Sequence, residues 1–251
     1  MKLQALVIAL GIGLIAHSAK AATTIQGLAG AGYSTVSTED DNIHSLYGGG
    51  EALVSFDDPG FGLQFGGAGG HVDDDDGSAN QWNGDGHIFW RDGKGAIGLS
   101  SSYGSLNALS LDATAFQYGI FGDWFVRRDL SLRFRGGGIG LKVSGDYATG
   151  WYGGVGTAYY VYSDLSLAIE SNYLKIGDIK ITTGNLDAEY LVSREYPVSV
   201  AVGYNYTTAD FYDNGINSHG WTIHLKYRFG ASGSLVDLDR TGVLPWTGLA
   251  L

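Results

Sequence analysis

The sequence predicts an all-β fold: a transmembrane up-and-down antiparallel β-barrel of about twelve strands, with short turns at one end and longer loops at the other. Three observations carry that expectation. Apolar and polar residues alternate with a period of two in a series of runs. From Gly220 to Phe229, Trp221, Ile223, Leu225, Tyr227 and Phe229 alternate strictly with Thr222, His224, Lys226 and Arg228, as in a strand with one apolar face. That run has aromatics at its ends and aliphatics between them, the order that a bilayer with two polar interfaces favours. Glycine makes up 41 of 251 residues, about twice the usual ~7 %. Proline contributes only three, so the glycine belongs to strands that curve or approach closely rather than to a collagen-like or proline-rich chain.

At the N-terminus, Lys2 precedes the apolar run Leu6 to Ile15 and the small-x-small triplet Ala19-Lys20-Ala21, the form of a secretory signal peptide over residues 1–21. This run is too short to span a bilayer as a helix, and no later apolar stretch reaches ~18 residues. Removing Lys2 and Lys20 leaves 13 basic against 26 acidic residues, a net charge of −13. Nucleic acid is therefore not an expected partner. With no cysteine, the exported chain has neither a disulfide framework nor a thiolate metal site.

Tight turn signals recur at Asp57-Asp58-Pro59-Gly60, Arg91-Asp92-Gly93-Lys94, Arg127-Arg128-Asp129, Ser163-Asp164 and Arg194-Glu195-Tyr196-Pro197. Between them lie longer polar stretches at 36–43, 73–81, 104–110, 143–149, 175–184 and 208–219. Six loops alternating with five turns give twelve strands with both termini at the short-turn end. In strands running toward the short turns, outward aromatics pair eight residues apart: Trp82 with Trp90, Phe116 with Trp124, Trp151 with Tyr159, and Trp221 with Phe229. In strands running the other way, Tyr33, Tyr103, Tyr173 and Tyr206 mark the far end. Eight residues at ~3.3 Å rise and ~40° tilt span roughly 20 Å, close to the ~25 Å apolar band of a membrane barrel. A large soluble barrel or sandwich, the alternative, has no need of this spacing.

The closing Phe229 resembles the last residue of the final strand in Gram-negative outer-membrane β-barrels, whose terminal aromatic is read by the barrel-assembly machinery. The resemblance implies a barrel over residues 22–229 in the outer membrane, in contact with its lipids and lipopolysaccharide, with Trp221, Tyr227 and Phe229 forming the assembly signal. Residues 230–251 depart from the pattern, since such barrels usually end at the aromatic. Leu235, Val236, Leu238, Val243, Leu244, Trp246 and Leu249 make this tail either a disordered periplasmic extension or a segment that docks into the lumen or onto a partner.

No Gly-x-Ser-x-Gly, His-Glu-x-x-His, Gly-x-x-x-x-Gly-Lys or Gly-x-Gly-x-x-Gly motif occurs. Asp73 to Asp76 beside His71 could offer oxygens to a hard cation, but consecutive carboxylates without a fixed scaffold read as a solvated loop. With Glu39-Asp40-Asp41, Asp210 and Asp213 they make the far rim acidic. The functional signal lies in the inward parity, which lines the lumen with Glu51, Asp85, His87, Arg91, Asp123, Arg133, Arg135, Glu170, Asp187, Glu189, His224, Lys226 and Arg228, together with Gln64, Gln117, Asn172 and Asn205. By height this gives an acidic waist at Glu51, Asp85 and Glu170 and a basic mouth near the short turns. Asp123 and Arg133 face each other, and pairs of that kind could close the lumen instead.

About eight strands give an interior that side chains fill and 16 to 18 leave an aqueous channel, so twelve falls between. Gly62, Gly66, Ala68, Gly154, Gly156, Ala168 and Ala201 are expected to leave room. The reading is a narrow porin-like channel for small hydrophilic solutes or ions, acting without a cofactor. A closed structural or adhesive barrel is the alternative, and an outer-membrane lipid enzyme a third. Outward glycines at Gly48, Gly50, Gly67, Gly69, Gly84 and Gly86 either form a smooth wall for a second copy or relieve curvature.

Overall fold

The computed structural model describes residues 23–38, 42–56, 60–74, 77–108, 111–211 and 214–244. The expected signal peptide, most of the acidic rim and the tail beyond Leu244 lie outside them. Twelve strands follow in order: β1 (Thr23–Ser37), β2 (Asn42–Phe56), β3 (Phe61–Asp74), β4 (Gly77–Asp92), β5 (Gly95–Ala108), β6 (Leu111–Arg127), β7 (Leu130–Val143), β8 (Asp146–Tyr162), β9 (Leu165–Ile176), β10 (Ile179–Ser193), β11 (Val198–Phe211) and β12 (Asn214–Phe229). One helix, α1 (Leu235–Thr241), comes after them. Each strand pairs antiparallel with its sequence neighbours, and β1 pairs with β12 from Gly27 opposite Phe229 to Ser37 opposite His219. The ring is closed and has no free edge.

Alternation sorts the side chains as the period of two requires. Outward positions carry an exposed apolar belt that includes Ile88, Leu99, Ile120, Val155, Ile169, Leu186 and Ile223. Trp82, Trp90, Trp124, Trp151, Tyr103, Tyr206 and Phe229 are exposed toward the belt's two ends. Such a surface suits hydrocarbon between two interfaces. The Trp151 and Tyr173 rings lie 5.0 Å apart and those of Tyr204 and Trp221 4.9 Å apart, both pairs tilted, so aromatics of neighbouring strands meet on this side.

The polar stretches at 143–149 and 175–184 are less loop than expected. Val143 pairs with Asp146 around Ser144-Gly145, and Ile176 pairs with Ile179 around Gly177-Asp178. Ser144 and Gly145 both have positive φ, at 49° and 104°, as a two-residue hairpin turn of primed type demands. These stretches project past the girdle as paired ribbon. Water there meets both faces of the strands, so the apolar alternation fades while the ladder continues. At the opposite end, register shifts at Val126, Val161 and Val192 place a bulge before each of three short turns, adding local twist where the strands reverse.

The high glycine content has a specific cause. Tyr152 lies across the inner face of the barrel with its hydroxyl above Gly119 of β6, and with Ser100 of β5 it lines one small recess. A Cβ at Gly119 would strike that hydroxyl, and one at Gly137 would strike the Tyr118 carbonyl oxygen. Tyr47 likewise covers Gly32, and the Phe229 ring covers Gly27 across the β1–β12 seam. Aromatic rings laid over glycine rungs protect ladder that has no side chain of its own. The outward glycines differ. Gly48 pairs with Gly69, and Gly67 with both Gly50 and Gly84, in one open patch. Gly137→Ala should therefore abolish the compact, heat-modifiable band of the folded barrel in cold gel electrophoresis, whereas Gly69→Ala should leave it intact.

Candidate functional site

The described part of the tail lies inside the barrel at the short-turn end. Ser234 caps α1 by accepting from the Asp237 amide at 3.4 Å, and the Asp237 carboxylate accepts from the Ser234 amide at 3.3 Å and its hydroxyl at 2.6 Å. The Ser234 hydroxyl holds the Asp237 carboxyl below its ordinary range. Leu235, Val236 and Leu238 pack on Ala158, Tyr160 and Leu191 of β8 and β10. The chain then crosses the mouth, and Val243 and Leu244 pack on Leu53, Phe89, Ala96 and Phe121 of β2, β4, β5 and β6. Residues 235–244 thus pack against inward-facing residues of the strands. An interior lined mainly by polar groups was expected; inward apolar residues receive the tail at this end instead.

The basic mouth is occupied for the same reason. Arg91 donates from Nη1 to the Gly242 carbonyl at 2.8 Å, and Arg240 of the tail donates to the Arg127 carbonyl in the β6–β7 turn. Arg228 donates from Nη2 to Glu189 Oε1 at 2.7 Å and to Asp239 Oδ1 at 3.2 Å. Asp239 also accepts from the Tyr160 hydroxyl at 3.0 Å. Burial pushes the Asp239 carboxyl up, and Arg228 opposes that shift. Gln64 accepts from the Leu244 amide at 2.9 Å and donates to Glu51. Arginines expected to line an open mouth therefore hold the tail in it.

The other predicted charged and histidine lumen residues all face inward, in five contact groups with Asp187 apart from them. Glu51 and Asp85 meet across Gly66, and His87 Nε2 lies 2.7 Å from Asp85 Oδ2 with both side chains almost fully buried. Arg133 bridges Asp123 at 3.5 Å and Glu170 at 3.9 Å, so the expected Asp123–Arg133 pair is present. Lys226 Nζ meets Glu189 Oε2 at 2.7 Å beside the Arg228 network, where Ser199 donates to Glu189 Oε1 at 2.6 Å. Arg135 donates twice to Asn172 Oδ1, at 3.0 and 2.9 Å. His224 Nε2 lies 2.9 Å from the Tyr47 hydroxyl.

Ala168 and Ala201 line open volume as expected, but the small inward glycines leave less space. Gly62 is covered by Phe89, Gly66 lies between Glu51 and Asp85, Gly154 is covered by Asn172 and Gly156 by Glu170. Their missing side chains are replaced by neighbours lying over them. Free space is gathered instead beyond the tail, in a cavity of about 810 Å³ whose wall includes Arg135, Glu170, Asn185, Asp187, His224 and Lys226. Asp187 has no hydrogen-bond or ion-pair partner among the described residues. Ile139, Leu174 and Ile181 join the wall further from the tail, so the path is not polar throughout. Near the far rim His71 Nε2 and Asp73 Oδ1 lie 3.1 Å apart, both well exposed. No group of three or more potential metal ligands occurs among the described residues; Asp75 and Asp76 lie outside them.

Sequence reasoning missed Tyr47, Tyr152, Tyr160, Ser199 and Asp239. Parity would have placed the first four inward. Asp239 could be found only from the Ser234-x-x-Asp237 cap that precedes it and the apolar residues on either side of it in the tail.

A closed twelve-strand barrel with an apolar outer belt and a charged interior defines the class: a transmembrane β-barrel of porin-like architecture. Comparison with solved structures agrees. The fold is similar to the COG4313 outer membrane channel from Pseudomonas putida F1 (TM-score 0.57, 12% identity, 82% of this chain and 95% of that one). It is also similar to the NanC porin (0.56, 10%, 79% and 98%) and the KdgM porin (0.50, 13%, 79% and 98%). No family model and no curated protein sequence matches the chain. At these identities the likeness is one of fold.

Glu189 is the hub of the inner network, compensating both Lys226 and Arg228. Glu189→Gln should leave Lys226 without its carboxylate and Arg228 with Asp239 alone, and destabilise the barrel by about 3 kcal/mol, read as an earlier midpoint in urea unfolding of the refolded protein.

Proposed function

We propose that the chain is a channel for passive diffusion of small hydrophilic solutes or ions across the outer membrane of a Gram-negative bacterium, with its C-terminal segment seated in the periplasmic mouth. The observation that supports this most is the cavity inside the closed barrel, where acidic side chains on β9 and β10 are flanked by basic ones on β7 and β12. Strand termini and short turns lie at the periplasmic end in this reading, as in barrels of this architecture. The tail across the mouth favours a second reading, a closed structural barrel.

Single-channel recording in a planar bilayer separates the two. The chain ending at Phe229 should give clear conductance steps, larger or more frequent than those of the chain that retains its tail. Silence from both proteins, with folding intact, would leave only the structural barrel.

Selectivity gives a second test. Asp187 is uncommitted while Arg133 and Lys226 are paired, so the cavity should weakly favour cations. The zero-current potential across a potassium chloride gradient should show this preference, and it should fade near 1 M, where the Debye length is ~3 Å. Glu170→Gln with Asp187→Asn should reduce the preference, and neutralising Arg133 and Arg135 should enhance it. Anion preference in the unaltered channel would overturn the assignment.

A further inference from the structure

The outer wall between β8 and β11 carries a groove of about 560 Å³ lined by Val155, Ile169, Leu186, Tyr204 and Tyr206. Its floor follows from the register. Gly184 stands between Ser171 on β9 and Tyr206 on β11, and no atom lies within 4 Å of the place a Cβ would take. Two small residues side by side thus open a furrow in an otherwise aliphatic belt. Apart from the Ser171 and Thr157 hydroxyls the furrow is lined by apolar surface, which suits a chain of methylene groups.

Above the groove the chemistry changes in a set order. Next outward on β9 and β10 come Tyr173 opposite Thr182, with the Trp151 ring tilted against Tyr173, and then Lys175 opposite Lys180. Four residues separate Ser171 from Lys175, about 10 Å along the membrane normal at ~3.3 Å rise and ~40° tilt. Like charges directly opposite on neighbouring strands repel. Neither lysine has an ion-pair partner within 4 Å among the described residues, although Asp210 is the register neighbour of Lys180 on β11.

The position is also selective. Every described arginine lies in the interior, in a short turn or on the tail, as do Lys94 and Lys226. The remaining described lysines, Lys142, Lys175 and Lys180, all face outward toward the other end, on β7, β9 and β10. An acidic chain has placed two ammonium groups face to face above an apolar furrow.

We propose that this wall is a binding site for a phosphate-bearing membrane lipid, with an acyl chain in the furrow over Gly184 and the phosphate between Lys175 and Lys180. Charge, apolarity and the aromatic step between them follow the order of such a lipid from headgroup to tail. The site rests on the barrel spanning a membrane and not on its conducting.

The test is retention of lipid by the refolded full chain in detergent, counted by native mass spectrometry with dimyristoyl phosphatidic acid and dimyristoyl phosphatidylcholine. Phosphatidic acid should be retained in preference. Lys175→Gln with Lys180→Gln should weaken it by about thirtyfold, the effect of two ammonium groups near a lipid surface, and leave phosphatidylcholine unchanged. Gly184→Leu, which fills the furrow without meeting backbone, should weaken phosphatidic acid while both lysines remain. Retention unchanged in either variant would overturn the site, as would equally strong competition by inorganic phosphate, which has no chain to place. All these side chains face outward, so bilayer conductance should be the same in each variant, and a silent channel with intact lipid retention would count against conduction alone.

Discussion

A chain that crosses hydrocarbon in strands has to pair every backbone N–H and C=O within itself, because the lipid offers no partner. Here that demand is met at the seam between β1 and β12, where eleven register pairs run from Gly27–Phe229 to Ser37–His219. Without the seam the ladder would have two edges in the apolar belt. The Phe229 ring, laid over Gly27, covers the first rung of the seam with the last residue of the last strand. The curvature of the closed wall lets Arg133 reach Asp123 on the neighbouring strand and Glu170 two strands away, and Arg228 reach Glu189 two strands away and Asp239 on the tail.

Inside the ring, apolar and charged contacts are divided between two regions. Around the tail, leucines and phenylalanines from opposite walls make a small core, and its charged rim is fully engaged by arginines. Beyond it the wall residues are spaced around open volume, and Asp187 has no hydrogen-bond or ion-pair partner among the described residues. Buried ion pairs give little net stabilisation over apolar packing of the same volume, yet removing one partner is strongly destabilising. The network around Glu189 thus specifies which side chains meet more than it adds to stability, and it leaves the space above it free.

Much of the architecture was legible in the sequence. The period of two and the eight-residue aromatic spacing are both direct consequences of a bilayer acting on one face of a strand, so the twelve strands and the inward set from Glu51 to Arg228 follow from parity. What was not legible depends on distance across the ring. Parity puts Gly62, Gly66, Gly154 and Gly156 inside but does not say that Phe89, Glu51, Asn172 and Glu170 lie over them, so these glycines read as space. In the same way Arg91 and Arg228 read as an open basic mouth, because their partners, Gly242 and Asp239, sit more than 100 residues away or outside the strand pattern altogether. The stretches at 143–149 and 175–184 read as loops because water on both faces erases the alternation while the ladder continues.

The seat of the tail is divided between β8 with β10 on one side and β2 with β4, β5 and β6 on the other. These two walls face each other only after the first and last strands have joined. Residues 235–244 therefore acquire their binding surface last, and chain order becomes an order of maturation. The barrel completes itself as an unobstructed ring, its terminal aromatic clear of any bound segment, and only the finished wall can draw the remaining chain inward. A plug contributed from the N-terminal side would have had to wait, unhoused, through the whole of assembly; one placed after the last strand has its site waiting for it.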